Sequence, residues 1–343
     1  AKPAEYFVNL SLACNLLCRP SDAEQVARTG LDLFENNKDI LDNFLISQIL
    51  QEKYTEAMNT ARLRLRLGRD VHSLEEMAAL LIKMGDKVAE SDFPAAVKCY
   101  RIAADLSCEA KELNPRYQTA RINLAKAWFA LEKYGRCAEE LRDLGEVRDM
   151  HPTLVEQCAI LMAKCFNITS GFKECVDFCD YWLEKFPDSI GLKRIRAENI
   201  VDGFCIGKTK NGVRIVDRSS LEFFMSVVTD PERREISDFC YLARLHEWMG
   251  EIDSAMQLLD EAEAHSPYHW EIPFDRGTFH WRCGNMAPAL SSALRSAELA
   301  PWRPQPWNLL AIVYRDTGRD ADAAAAADRA EQVKQRRKEL TKT

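Results

Sequence analysis

An uninterrupted apolar run of about 18 residues, the least that spans a bilayer as a helix, occurs nowhere in this sequence. Membrane insertion is therefore not expected. The first residues also lack the charged-then-apolar pattern of a secretory leader, which leads to the expectation of a soluble, cytoplasmic chain. No paired CxxC motif is present, so the 12 cysteines among 343 residues read as scattered, reduced thiols and not as a disulfide framework. Charge of one sign is missing as a block, because 46 Lys and Arg are interspersed with 53 Asp and Glu for a formal net charge of −7. A phosphate backbone has no basic stripe to bind, and nucleic acid is not expected as the principal partner. The sequons Asn9-Leu10-Ser11 and Asn167-Ile168-Thr169 matter only in a secreted protein.

What the chain does have is 47% apolar and 29% charged residues, enough to bury a substantial core, and a repeat. Gly250, Gly284 and Gly318 are 34 residues apart, as are Ala255, Ala289 and Ala323; Pro267 and Pro301 keep the same step. Each unit reads as a helical hairpin. Apolar residues at helical spacing, such as Leu242, Leu245 and Trp248, make the first helix, Gly ends it, a second helix follows, and Pro stops that one. Small residues paired across the hairpin, Ala243 with Ala255, Gly277 with Ala289 and Ala311 with Ala323, let the two helices approach closely.

These positions resemble the tetratricopeptide repeat family, and the last unit carries the likeness furthest. Trp307, Leu310, Ala311, Tyr314, Gly318, Ala323, Ala327 and Ala330 stand in that family's order and spacing, with Ala311 in place of the usual Gly and Ala327 in place of a large aromatic. Upstream, small residues at Ala23, Ala57, Ala96, Cys137 and Cys175 mark degraded second helices. The resemblance implies an all-α, right-handed superhelical solenoid of about nine helical pairs, with degenerate repeats over 1–234, regular ones over 235–333 and a capping tail over 334–343. That tail is mostly charged, which suits either a solvated cap or contact with an acidic surface.

The regular step fails between Cys175 and Ala255, where CIGKTKNGVRIVD occurs. Gly203 through Thr209 echoes a phosphate-binding loop, but there are three residues between the glycines instead of four and a helical segment precedes it, so nucleotide is not expected. Asn211-Gly212 is the dipeptide most suited to a type I′ turn, and an inserted β-hairpin near 204–217 is predicted, with Lys208, Lys210, Asn211 and Arg214 as its exposed candidates. The competing reading is a long polar loop.

Chemistry is hard to find. Cys175 and Cys179, at i and i+4, could offer two thiolates to a metal, yet both fall in slots facing a neighbouring helix. His246, His265, His269, His280 and Cys283 are dispersed over separate repeats, and the carboxylates are expected on solvent faces with no desolvated pair among them. No catalytic residue, cofactor or metal is expected. The resemblance implies instead that first helices line a concave wall that holds another protein or peptide; Arg244, Glu247, Trp248, Phe274, Trp281, Arg282, Asn308 and Arg315 are the candidates on it. Within the family, receptors of acidic chaperone tails carry a Lys/Asn set where this chain has Arg244, Thr278 and Ile312, so that sub-class is not implied. The reading is an interaction scaffold. Its alternative is a regulatory or substrate-recruiting module of a larger enzyme, such as a kinase or glycosyltransferase, whose catalytic domain is not in this chain. Self-association through a terminal repeat is a further reading.

Overall fold

The computed structural model describes residues 2–17, 19–51, 53–142, 150–205, 207–208, 214–215, 218–228 and 234–342. Among them run eighteen α-helices, and the chain divides into two compact units, residues 1–88 with 95–131 and residues 89–94 with 132–343. The first unit holds α1 (Ala4–Leu16), α2 (Pro20–Leu33), α3 (Lys38–Leu50), α4 (Tyr54–Arg66), α5 (Val71–Val88), most of α6 (Phe93–Leu113) and α7 (Gln118–Ala130). The second holds α8 (Tyr134–Leu141), α9 (Pro152–Thr169), α10 (Phe172–Lys185), α11 (Ile190–Ile200), α12 (Arg218–Val227), α13 (Ile236–Trp248), α14 (Ile252–His265), α15 (Glu271–Arg282), α16 (Met286–Leu299), α17 (Pro304–Asp316) and α18 (Asp320–Thr341). None of the described helices is long and apolar enough to cross a membrane.

The regular repeats turn by one device used three times. Gly250, Gly284 and Gly318 have φ of +83°, +78° and +73°, the left-handed region that an L side chain avoids. The N–H of Gly250 donates to the Glu247 carbonyl at 2.9 Å and that of Glu251 to the His246 carbonyl at 2.9 Å. Gly284 with Asn285 and Gly318 with Arg319 repeat both bonds, so each first helix ends in a Schellman cap that satisfies its last carbonyls. The side chains flanking the cap also meet: His246 Nδ1 lies 2.6 Å from Glu251 Oε2, and the Arg319 guanidinium lies 4.4 Å from the Tyr314 ring centre.

Across each hairpin the small residues are buried. Ala23, Ala57, Ala96, Cys137, Cys175, Ala255 and Ala289 have no exposed surface, and Ala323 keeps 4%. At Gly277 a Cβ would stand 3.2 Å from the Ala293 nitrogen and 3.3 Å from the Ala289 carbonyl, so backbone approaches backbone. Cores then form locally, pair by pair. In the first unit Leu45, Leu74, Met77, Leu81, Ala103 and Leu124 gather, and in the second separate clusters centre on Cys175 with Trp182, on Phe224 with Tyr241, on Ala255 with Phe279, and on Ala293 with Leu310. Such a ladder of neighbour contacts is the quasi-one-dimensional core of a repeat protein.

The region near 204–217 departs from the prediction. Val201–Cys205 prolongs α11 as a π turn where a strand is expected to be starting. The β-ladder found among the described residues has two residues per strand, Gly207 opposite Ile215 and Lys208 opposite Arg214. Two-residue strands with no further strand or sheet face cannot stand as an element of their own, so the hairpin adds no sheet layer to an all-α fold. Lys210, Asn211 and Gly212 lie outside the described residues.

The turn and the close approach make separable contributions. Nothing lies within 4 Å of a Cβ added at Gly284, so Gly284→Ala should cost about 1 kcal/mol through backbone conformation alone. Gly277→Leu should cost about 3 kcal/mol, because it forces packed helices apart. Urea unfolding of both variants checks the order; equal losses would mean the helices do not touch at Gly277.

Candidate functional site

Four first helices of the second unit, α11, α13, α15 and α17, are joined one to the next through polar side chains. In two of these steps an arginine reaches forward to acids in the first half of the next first helix. Arg194 Nη1 donates to Glu235 at 2.8 Å and its Nη2 to Asp238 at 2.6 Å. Asp238 sits in the first turn of α13, has no exposed surface, and also accepts the Glu235 backbone N–H at 2.8 Å in a capping box. One repeat on, Arg244 Nε is 2.9 and 3.0 Å from the two carboxylate oxygens of Asp275, and its Nη2 is 3.3 Å from Glu271. At their C-terminal ends α13, α15 and α17 are tied at a 35-residue step, by Arg282 to Glu247 and by the Trp281 indole N–H to Asp316 at 2.6 Å.

These bonds place the sequence candidates. Arg244 and Glu247 are struts between repeats: Glu247 is buried and Arg244 is held by two carboxylates. Phe274 packs into the Ala293 and Leu310 cluster and against the Trp270 ring at 5.7 Å. Trp248 is half-buried on the Phe224 cluster, and Trp281 is half-buried beside Leu310. Arg282 is exposed while bound to Glu247, and Asn308 and Arg315 are exposed with no side-chain partner among the described residues. The structure therefore brings the eight together along α13, α15 and α17 but divides them between internal ties and outward groups. Of the inserted-segment candidates, Lys208 and Arg214 pair through their backbones. Among the described residues no group of three or more His, Cys, Asp or Glu side chains is arranged to hold a metal ion. Cys175 and Cys179 are fully buried in the cluster with Trp182.

No family model matches the sequence, and no curated protein matches it. Among solved structures, a tetratricopeptide repeat protein from Parabacteroides merdae ATCC 43184 superposes with a TM-score of 0.57 at 16% identity, over 77% of this chain and 93% of its own. Yeast Tom70 aligns over 96% of this chain and 78% of its own, at 15% identity and a TM-score of 0.45. The first of these, together with the helical hairpins and their capped turns, settles the architecture. This is the tetratricopeptide-repeat fold.

Within the repeat face one expectation is corrected. The carboxylates are not confined to solvent faces, because Asp238 and Asp275 are buried at 0% and 2% exposure and Glu198 of α11 is half-buried beside them. Burial pushes the Glu198 carboxyl up to about 7, Asp238 and Asp202 push the same way, and Arg194 and Arg244 offset this only in part. Burial likewise raises Asp275, to about 6, against the pull of Arg244. Asp202 extends the set by accepting the Tyr241 hydroxyl at 3.1 Å. The seam thus holds more acid than arginine. The sequence gives no signal for Glu198 or Asp202, since both fall where the repeat period is broken.

The sign of the resulting pH dependence follows. A carboxyl whose folded-state pKa is raised holds its proton more tightly in the folded state; the resulting stabilisation is complete below the ordinary carboxylate pKa and is lost as pH rises through the folded value. Glu198 should therefore cost on the order of 1–3 kcal/mol of stability between about pH 5 and pH 8. Glu198→Gln should flatten that slope and stabilise the protein most at the alkaline end. Denaturant unfolding at a series of pH values tests this, and parallel slopes for the two proteins would remove Glu198 from the account.

Proposed function

We propose that the chain is a non-enzymatic interaction scaffold that binds another protein or peptide along the shared face of α13, α15 and α17, the wall expected to be concave. One observation carries the reading: the first helices are braced by Arg244–Asp275, Glu247–Arg282 and Trp281–Asp316, which leaves a rigid surface of outward groups in register. Asn308 and Arg315 are the exposed groups a partner would meet first, beside the outward sides of Trp248, Trp281 and Arg282 that their packing and ties leave uncovered. Tryptophan and arginine suit such a role, because a large rigid ring or a planar charged fork offsets its own desolvation on contact. Preorganisation supports the same reading, since braced helices lose little freedom on binding. Net charge of −7 and the absence of a basic stripe favour protein over nucleic acid. Ten cysteines among the described residues are free thiols, and seven of them are buried, in keeping with a reducing, cytoplasmic setting.

Affinity capture from native cell extract with the intact chain as bait should recover a partner. Asn308→Ala with Arg315→Ala, both exposed, should weaken capture at least tenfold with unchanged helicity and melting temperature. Trp281→Ala with Arg282→Ala should abolish it, at some cost in stability because Trp281 also packs on the Leu310 cluster. Undiminished capture by both pairs would place the partner on another surface.

A further inference from the structure

In the first unit α1 is built the wrong way round for an ordinary amphipathic helix. Its buried face carries Phe7, Ser11 and Asn15, whereas Tyr6, Leu10, Leu12, Ala13, Leu16 and Leu17 are exposed. Leu16 and Leu17 are 74% and 69% exposed. Reciprocal amides lock this arrangement: Asn15 Nδ2 donates to the Asn43 carbonyl at 2.9 Å, and Asn43 Nδ2 donates to the Val8 carbonyl at 2.9 Å. Ser11 is satisfied by the Phe7 carbonyl at 2.7 Å. Rotating α1 to hide its leucines would strand both asparagine amides away from their acceptors, so the apolar face stays outward.

That face is patterned. Tyr6, Leu10, Ala13 and Leu17 follow at steps of four, three and four, the seam by which one helix packs along another at a shallow angle. No Asp, Glu, Lys, Arg or His falls between Glu5 and Arg19; at the start of the seam Lys2 Nζ donates to the Tyr6 hydroxyl at 2.8 Å and lies 4.0 Å from that ring's centre, and at its end Arg19 is paired with Asp22. Glu5 has no side-chain partner among the described residues, and Arg19 is exposed with Asp22 beside it. Reversed upon itself, this pattern is complementary. Tyr6 falls opposite Leu17, Leu10 opposite Ala13 with large against small, and Glu5 next to Arg19 at each end.

We propose that α1 is a self-association surface on which two copies of this chain pair antiparallel about a two-fold axis. Isologous pairing needs a self-complementary patch, and the reversed seam with its opposite end charges supplies one. A lipid surface is a poorer match, because an interfacial helix carries Lys and Arg on its polar face, and here that face is packed against α3 and has none.

Light scattering of the intact chain from low to high micromolar concentration should show the mass rise from 39.1 kDa towards about twice that value. Leu10→Glu with Leu17→Glu should hold it at the monomer mass with unchanged helicity, since both side chains point to solvent. Glu5→Arg alone should weaken the dimer at least tenfold, and adding Arg19→Glu should restore it, which tests the pairing without touching the leucines. A monomer at every concentration, a dimer indifferent to the leucine pair, or a monomer that binds anionic vesicles through α1 would each overturn the proposal.

Discussion

Everything in this molecule depends on how closely two consecutive helices approach at one small side chain. Helices packed through Leu or Phe stand roughly 8–10 Å apart, and only Ala, Gly or Cys lets the backbones come to the near end of that range. Gly277 against Ala289 shows the limit, with a carbonyl and an amide nitrogen where a side chain would otherwise be. Once the pair is this tight, the larger residues that flank the contact, such as Leu259, Phe279 and Leu310, have nowhere to go but the neighbouring pair. Stacking is thus a consequence of the hairpin, and each core cluster spans adjacent elements because each hairpin has one apolar side left to cover.

Apolar stacking alone sets distance but tolerates sliding. In the second unit the lateral ionic ties remove that freedom, because Arg194 and Arg244 meet their acids in one register only. The energetic case for such ties is not raw stability. Burying Asp275 costs more in lost hydration than its pairing with Arg244 returns, and the raised carboxyls of Asp275 and Glu198 are the visible residue of that imbalance. What the ties supply is a fixed relation between successive first helices. The same accounting bears on the excess of acids over arginines, since burial and the neighbouring Asp238 and Asp202 push the Glu198 carboxyl up to about 7.

The repeat period was legible because it is written in residues with single purposes. Gly at the cap, Ala at the close contact and Pro after the second helix have few substitutes, so the 34-residue step survives where apolar positions drift. For the same reason Ala23, Ala57, Ala96, Cys137 and Cys175 could be picked out upstream, and all five are fully buried. Period assigns a slot, however, and not a partner. Arg244 and Glu247 read as wall residues because they occupy the slots expected to line a wall; that Asp275 and Arg282 hold them depends on side chains 31 and 35 residues away, whose pairing no helical pattern encodes. Glu198 was hidden by the opposite bias, since an acid on a helix is by default assigned to water. Around Asn211 a strong local turn signal was read as a hairpin, while the two-residue ladder at Gly207 and Lys208 lacks the further strands and apolar face that would make it a sheet.

The first and last described helices treat their exposed faces differently. Along α18 the buried stripe is Ala323, Ala326, Ala330 and Val333, and the opposite face carries Arg329, Glu331, Lys334, Arg336 and Glu339, so water solvates what the preceding repeat does not cover. Along α1 the order is inverted, with asparagine and serine inside and leucine outside. Helix propensity cannot account for this, because charged residues would serve the outer face of α1 as well as they serve α18. A polar latch that costs core area and an outer face that forgoes solvation are both unfavourable for α1 in isolation. They become consistent with one another only if the outer face is covered, which is the physical ground for proposing α1 as an interface.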